Sequence, residues 1–119
     1  MTTRARSIVA SKYRNVRTEV DGIKFASKAE ARRWAELNLL LRARAIANLR
    51  RQERFNLDVG GHHVCVYVAD FTYNDCANHG CYTVEDVKGG PATDTYRLKK
   101  ELMLAIHGIE IKEIRYGRR

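Results

Sequence analysis

The sequence predicts an α/β fold in a single domain, and three observations carry that prediction. Ser27 to Arg44 has a helical apolar period behind a helix-start signal. Arg54 to Lys88 then reads as successive strands, interrupted by turn residues at Gly60-Gly61 and Ala77-Asn78-His79-Gly80. A second capped helical stretch, Thr93 to His107, leads into an alternating segment from Ile109 to Tyr116. With 119 residues the chain can build one core but not two comfortable ones.

Taken in order, residues 1–16 read as a flexible basic arm, and residues 17–119 as the domain. Arg4, Arg6, Lys12, Arg14 and Arg17 fall in a stretch without a single acid. Tyr13 lies between Lys12 and Arg14, a mixture suited to stacking on a base while contacting phosphate. Thr18 to Phe25 reads as a small hairpin, because Asp21-Gly22 between β-formers is a two-residue turn signal. Ser27 and Glu30 match a capping box at the start of the first helix. Glu30 also shares a stripe with Trp34, Leu37, Leu41 and Ala45, at the end of the face expected to be buried. Its carboxylate can therefore serve the cap or a cation.

Arg54 to Val59 alternates as a strand, and His62 to Tyr73 follows as a long one. Val64, Val66, Val68 and Asp70 are expected on one face, with Cys65, Tyr67, Ala69 and Phe71 on the other. A hairpin tip near Asn78 would place Asp70 roughly opposite Asp86 on the next strand, Cys81 to Lys88, a register that a one-residue shift breaks and the loop does not fix. Val84, Asp86 and Lys88 then share a face with Asp70, while Glu85 and Val87 point away. Gly89-Gly90-Pro91 is a turn. In the second helix, Thr93 is the expected N-cap and Gly108 the stop. Leu98, Leu102 and Ala105 form its expected apolar stripe, with Tyr96, Lys99, Lys100 and Met103 towards the other side.

Formal net charge is +8, which points to a polyanionic partner. A second basic run, Arg42, Arg44, Arg50, Arg51 and Arg54, adds to that of the arm. Clustered Arg and Lys neutralise phosphates and release counterions, so nucleic acid is the favoured partner. An anionic membrane surface fits less well, because no segment pairs those charges with a large apolar face. The longest apolar run, Val64 to Ala69, is far too short to span a bilayer, and the first residues lack the apolar core of a secretion signal. A cytoplasmic location is expected. Cys65, Cys76 and Cys81 are an odd set, which argues against a disulfide framework. Cys76, His79 and Cys81 have irregular spacing for zinc and supply only three ligands, so they are read as plain hairpin residues.

Three acids and a lysine from separate segments thus converge: Glu30, Asp70, Asp86 and Lys88. Carboxylates held together repel unless a cation lies between them, and oxygen donors of this kind suit Mg²⁺ or Mn²⁺. Such an ion supports phosphodiester hydrolysis, and Lys88 is placed to orient the attacking water or offset transition-state charge. The competing reading is a set of solvated surface charges. Arg32, Arg33, Lys99 and Lys100 on the two helices, with Lys12 and Arg14 of the arm, are the expected phosphate contacts.

This order of elements, with Asp70 followed by Asp86-Val87-Lys88, resembles the PD-(D/E)XK nuclease superfamily. Lys12-Tyr13-Arg14-Asn15, Ser27-Lys28-Ala29-Glu30-Ala31, Tyr67-Val68-Ala69-Asp70-Phe71 and Val84-Glu85-Asp86-Val87-Lys88-Gly89 resemble, more closely, a family of small phage proteins placed in that superfamily. The resemblance covers nearly the whole chain. It implies a restriction-endonuclease-like αβββαβ core, with a mixed central sheet flanked by helices. It implies Mg²⁺- or Mn²⁺-dependent DNA cleavage, with Glu30, Asp70 and Asp86 as metal ligands and Lys88 as the fourth catalytic residue. Branched DNA such as a Holliday junction is the implied substrate, as for phage endonuclease I and resolvase-like relatives, and symmetric cutting of a junction implies a homodimer. Ala69 departs from the proline of the motif's name, and Glu85 rivals Asp86, although the spacing to Lys88 favours Asp86. A non-catalytic nucleic-acid-binding protein on a nuclease-like fold is the alternative.

Overall fold

A computed structural model describes residues 17–117. The first described elements are β1 (Thr18–Val20) and β2 (Ile23–Phe25), paired antiparallel as a separate two-stranded sheet. Asp21 and Gly22 between them both have left-handed φ, 53° and 78°, as a two-residue turn between twisted strands requires. Helix α1 (Lys28–Arg42) starts where the capping signal places it: the Glu30 N–H donates to Ser27 Oγ at 3.1 Å. It ends at Arg42 rather than Arg44, and Arg44 itself is left-handed, with φ 64°.

Strands β3 (Ile46–Val59), β4 (His62–Asp75), β5 (Cys81–Val87) and β6 (Lys112–Ile114) form one sheet in the order β3-β4-β5-β6. The first three run antiparallel and β6 lies parallel to β5, so the sheet is mixed. Helix α2 (Asp94–Leu102) and a wider π-type turn (Met103–His107) link β5 to β6. Thr93 caps α2 through its Oγ1, and left-handed Gly108 ends the segment. The described residues therefore have a mixed α/β architecture with two α-helices and a small hairpin ahead of the first. None of the described helices is long and apolar enough to cross a membrane.

Strand β3 begins at Ile46, not at Arg54. Burial alternates along its first half, but Asn48 and Gln52 both have φ of 55°, which interrupts the regular strand geometry. The residue at Asn48 makes a bulge, with the register slipping between Ala47 and Arg50. Gln52 and its opposite number Asp70 drop out of a ladder that otherwise runs through Arg51↔Phe71 and Glu53↔Ala69.

That break reverses the faces of the β3–β4 ribbon. On one side of it, Phe71 and Tyr73 pack with Phe25, Ala31 and Leu37 beneath α1, and Arg51 lies over the Phe25 ring. On the other side, Leu57, Tyr67 and Ala69 pack with Val84, Tyr96 and Met103 beneath α2. Tyr67, Ala69, Phe71 and Tyr73 would share one face in an unbroken strand. The expected valine row is corrected accordingly: Val64 is exposed, Val66 and Val68 are half-buried, and Tyr67 and Ala69 supply the core. The expected stripe of α2 is corrected in part: Leu102 packs against the core, but Ala105 is exposed. Leu98 is 59% exposed, whereas Tyr96 and Met103, placed towards the opposite side by sequence, are the buried residues. The core presented by β4 and β5, rather than the helix's own apolar count, selects the face.

Candidate active site

The site lies where the ladder of β4 and β5 stops. Pairs from Asp75↔Cys81 to Phe71↔Glu85 put Asp70 opposite Asp86, the register implied by a tip near Asn78. Beyond Phe71, the Asp70 side chain takes over from the backbone, accepting the Val87 N–H at 2.8 Å through Oδ2. Asp86, 7% exposed, accepts from the buried Tyr67 hydroxyl at 2.6 Å and pairs with Lys88 Nζ at 3.1 Å. The Lys88 ammonium also rests 3.4 Å from the centre of the Tyr96 ring, a cation–π contact. Asp86 and Lys88 thus stand together as residues two apart on a strand should. Glu30 and Lys88 line a cleft of ≈ 180 Å³ with Ser27, Gly89, Gly90 and Thr93.

Glu30 takes up the capping task that its position allows, and it turns towards Asp70 as well. Its Oε1 accepts the Ala26 N–H at 3.3 Å, next to the helix cap. Its carboxylate also meets Asp70. Burial, then the charges of Glu30 and Asp86, push the Asp70 carboxyl up to about 8, and a hydrogen bond to Glu30 helps to keep its proton in place. Burial and the Asp86 charge likewise raise the Tyr67 phenol, which stays a hydrogen-bond donor.

Among the described residues, no group of three or more His, Cys, Asp or Glu side chains is arranged so that it could hold a metal ion as it stands. The donor chemistry at Asp70 nevertheless fits a hard divalent cation. Burial first, and then the charges of Glu30 and Asp86, raise the Asp70 carboxyl, and an ion among the three would offset the repulsive part. Asp86 is the less available donor, since Tyr67 and Lys88 already engage its two oxygens.

Glu85, the rival of Asp86, lies on the other face and is fully buried. Arg33 grips it with Nε on Oε1 at 2.8 Å and Nη2 on Oε2 at 2.7 Å, and the Tyr73 hydroxyl donates to the same carboxylate. Arg33 therefore does not present its guanidinium to a phosphate: its expected surface role is corrected, because β5 buries an acid directly beneath it. Arg32 stays on the surface, paired with Glu36 at 3.3 Å and lying over the Tyr116 ring. Lys100 is bound to Glu113 at 3.0 Å. Lys99 lines a shallow depression with Tyr67, Thr95 and Tyr96. Lys12 and Arg14 lie outside the described residues.

Two residues that hold the site together, Tyr67 and Tyr96, were not legible as such. Strict alternation puts Tyr67 on the face away from Asp86, and the helical phase puts Tyr96 away from the core. A phenol inside an apolar strand row was the available signal, since a buried hydroxyl requires a partner.

A family model described as a protein of unknown function, DUF1064, matches residues 10–115. No curated protein and no solved structure matches the chain.

Proposed function

The chain belongs to the DUF1064 family, and for this member we propose a metal-dependent endodeoxyribonuclease, active on DNA phosphodiester bonds and selective for branched DNA. One observation carries the reading. Asp70 sits at the end of the β4–β5 ladder, crowded by Glu30 from α1 and Asp86 from β5, with Lys88 beside Asp86. The element order and the mixed sheet suit a restriction-endonuclease-like core. The match to the family lends no activity of its own.

Glu30, Asp70 and Asp86 would hold Mg²⁺ or Mn²⁺. When bound, such an ion supplies Lewis acidity to the phosphodiester and lowers the pKa of water. Tyr67 fixes one oxygen of Asp86, and the Val87 N–H fixes one oxygen of Asp70, so both carboxylates are oriented before substrate arrives. Lys88 is held over the Tyr96 ring at the rim of the cleft, where its ammonium can orient the attacking water and offset the charge gathering on phosphorus. The turn Gly89-Gly90 keeps side chains away from that rim.

Incubation of the protein with duplex, single-stranded and four-way-junction DNA, with and without Mg²⁺, tests the reading. Metal-dependent cuts in the junction are expected. A specific observation favours a second reading, non-catalytic nucleic-acid binding: both oxygens of Asp86 are already satisfied by protein groups. Binding without cleavage in either Mg²⁺ or Mn²⁺ would decide for it.

A further inference from the structure

The buried contact between Arg33 and Glu85 needs a reason, and stability is a poor one. Removing two charges from water is costly, and apolar side chains of similar volume commonly stabilise a fold as well or better. Here Glu85 is fully buried, and three hydrogen bonds from Arg33 and Tyr73 meet its two oxygens.

Its location supplies the reason. Arg33 lies one turn after Glu30 on α1, and Glu85 immediately precedes Asp86 on β5. The pair is thus a direct tie between the helix carrying one acid of the site and the strand that carries another acid and leads into the lysine. A guanidinium fork on a carboxylate fixes angle as well as distance, which apolar packing does not. The tie extends further. Arg33 Nη1 reaches Glu36 at 3.0 Å, and Glu36 accepts from Tyr116 at 2.8 Å, just beyond β6.

We propose that Arg33 and Glu85 are positioning residues: their forked contact sets α1 on β5 so that the Glu30 carboxylate stands at Asp70, and it thereby sets the affinity of the site for a divalent ion. The proposal rests on the metal-dependent reading above. Neither residue touches the ion or the substrate. Glu85 acts through the backbone of Asp86, and Arg33 acts through the seating of Glu30.

The test separates stability from position. In the triple variant Arg33→Met, Glu85→Leu and Tyr73→Phe, the buried polar cluster becomes apolar without stranding a hydroxyl. Arg33→Lys keeps the charge and loses the fork. Each is compared with the unmodified protein by thermal unfolding in EDTA, by the emission of Trp34, and by calorimetric titration with Mn²⁺. Trp34 is the only tryptophan and stacks on Phe71, so its emission reports whether α1 is docked.

The expected result is a docked, folded triple variant with Tm near that of the unmodified protein and Mn²⁺ affinity lower by about tenfold or more. Arg33→Lys is expected to weaken Mn²⁺ in the same direction. Equal Mn²⁺ affinity in the unmodified protein and a folded triple variant overturns the inference alone. A collapse of Tm in both variants overturns it too, by showing that the cluster carries stability instead. Absence of Mn²⁺ binding to the unmodified protein overturns the metal reading itself, and the inference with it.

Discussion

Asp70 owes its high proton affinity to burial and to the two acids that meet it. An aspartate with a folded pKa of about 8 against 3.8 in the unfolded chain binds its proton more tightly when folded. Its favourable contribution is complete below 3.8 and is lost as pH rises through 8. In EDTA, Asp70→Asn cannot ionise and keeps an oxygen for the Val87 N–H. Its Tm relative to the unmodified protein is therefore expected to climb between pH 4 and pH 8, which parallel melting curves would show. Mg²⁺ should raise the Tm of the unmodified protein more at pH 8 than at pH 5, and that of Asp70→Asn much less at either pH. Lys88 and Asp70 also separate the two functional readings. Lys88→Ala and Asp70→Asn are expected to lower cleavage by about a hundredfold or more while junction binding, measured by gel shift, stays within a few-fold.

At the scale of elements, the face reversal in the β3–β4 ribbon turns Asp70 out of the ladder and lets one ribbon serve two helices. Gln52 supports it in a left-handed conformation, with φ of 55°, that costs a residue with a side chain about 1–2 kcal/mol. Gln52→Gly is expected to stabilise the fold by up to about 1 kcal/mol in urea unfolding. Gln52→Val should destabilise it by about 1–2 kcal/mol, since a branched side chain suits that conformation worst. An unchanged midpoint in both would remove the strain from the account of the ribbon. The start of α1 offers a second check. Ser27→Ala loses the acceptor for the Glu30 N–H and should cost about 1 kcal/mol. Because the same turn seats Glu30, the variant should also weaken Mn²⁺ binding, as calorimetry would reveal.

For the whole molecule, the excess of positive charge predicts a strong salt dependence with any DNA. Each phosphate neutralised contributes a slope of about −0.9 in log affinity against log salt. Arg33 and Lys100 are engaged internally, which leaves Arg32, Lys99 and the basic arm as candidates for those contacts. Lys99→Ala should reduce the slope by about one without changing the preferred DNA structure, as fluorescence anisotropy across a salt series would measure. Cutting a junction on both sides requires two sites, so light scattering with junction DNA should show two copies of the chain per junction. A single copy would count against symmetric cleavage.

The order of elements, the helix caps and the Asp21-Gly22 turn were all written locally. Each depends on residues close in the chain, and such signals survive without knowledge of the rest of the fold, although the register of Asp70 against Asp86 was settled among its one-residue alternatives by the structure and not by the loop. The neighbouring positions of Asp86 and Lys88 followed from the same local rules, whereas the turn of Glu30 towards Asp70 depends on how α1 packs on the sheet. Which face of β4 is buried, which face of α2 is buried, and where Arg33 and Glu85 spend their charges did not. The ladder break at Gln52 and Asp70 hands the buried side of the ribbon from one cluster to the other, and alternation in sequence carries no mark of that change. The partner of a buried charge lies 52 residues away in the chain, and only packing α1 on the sheet brings the two together.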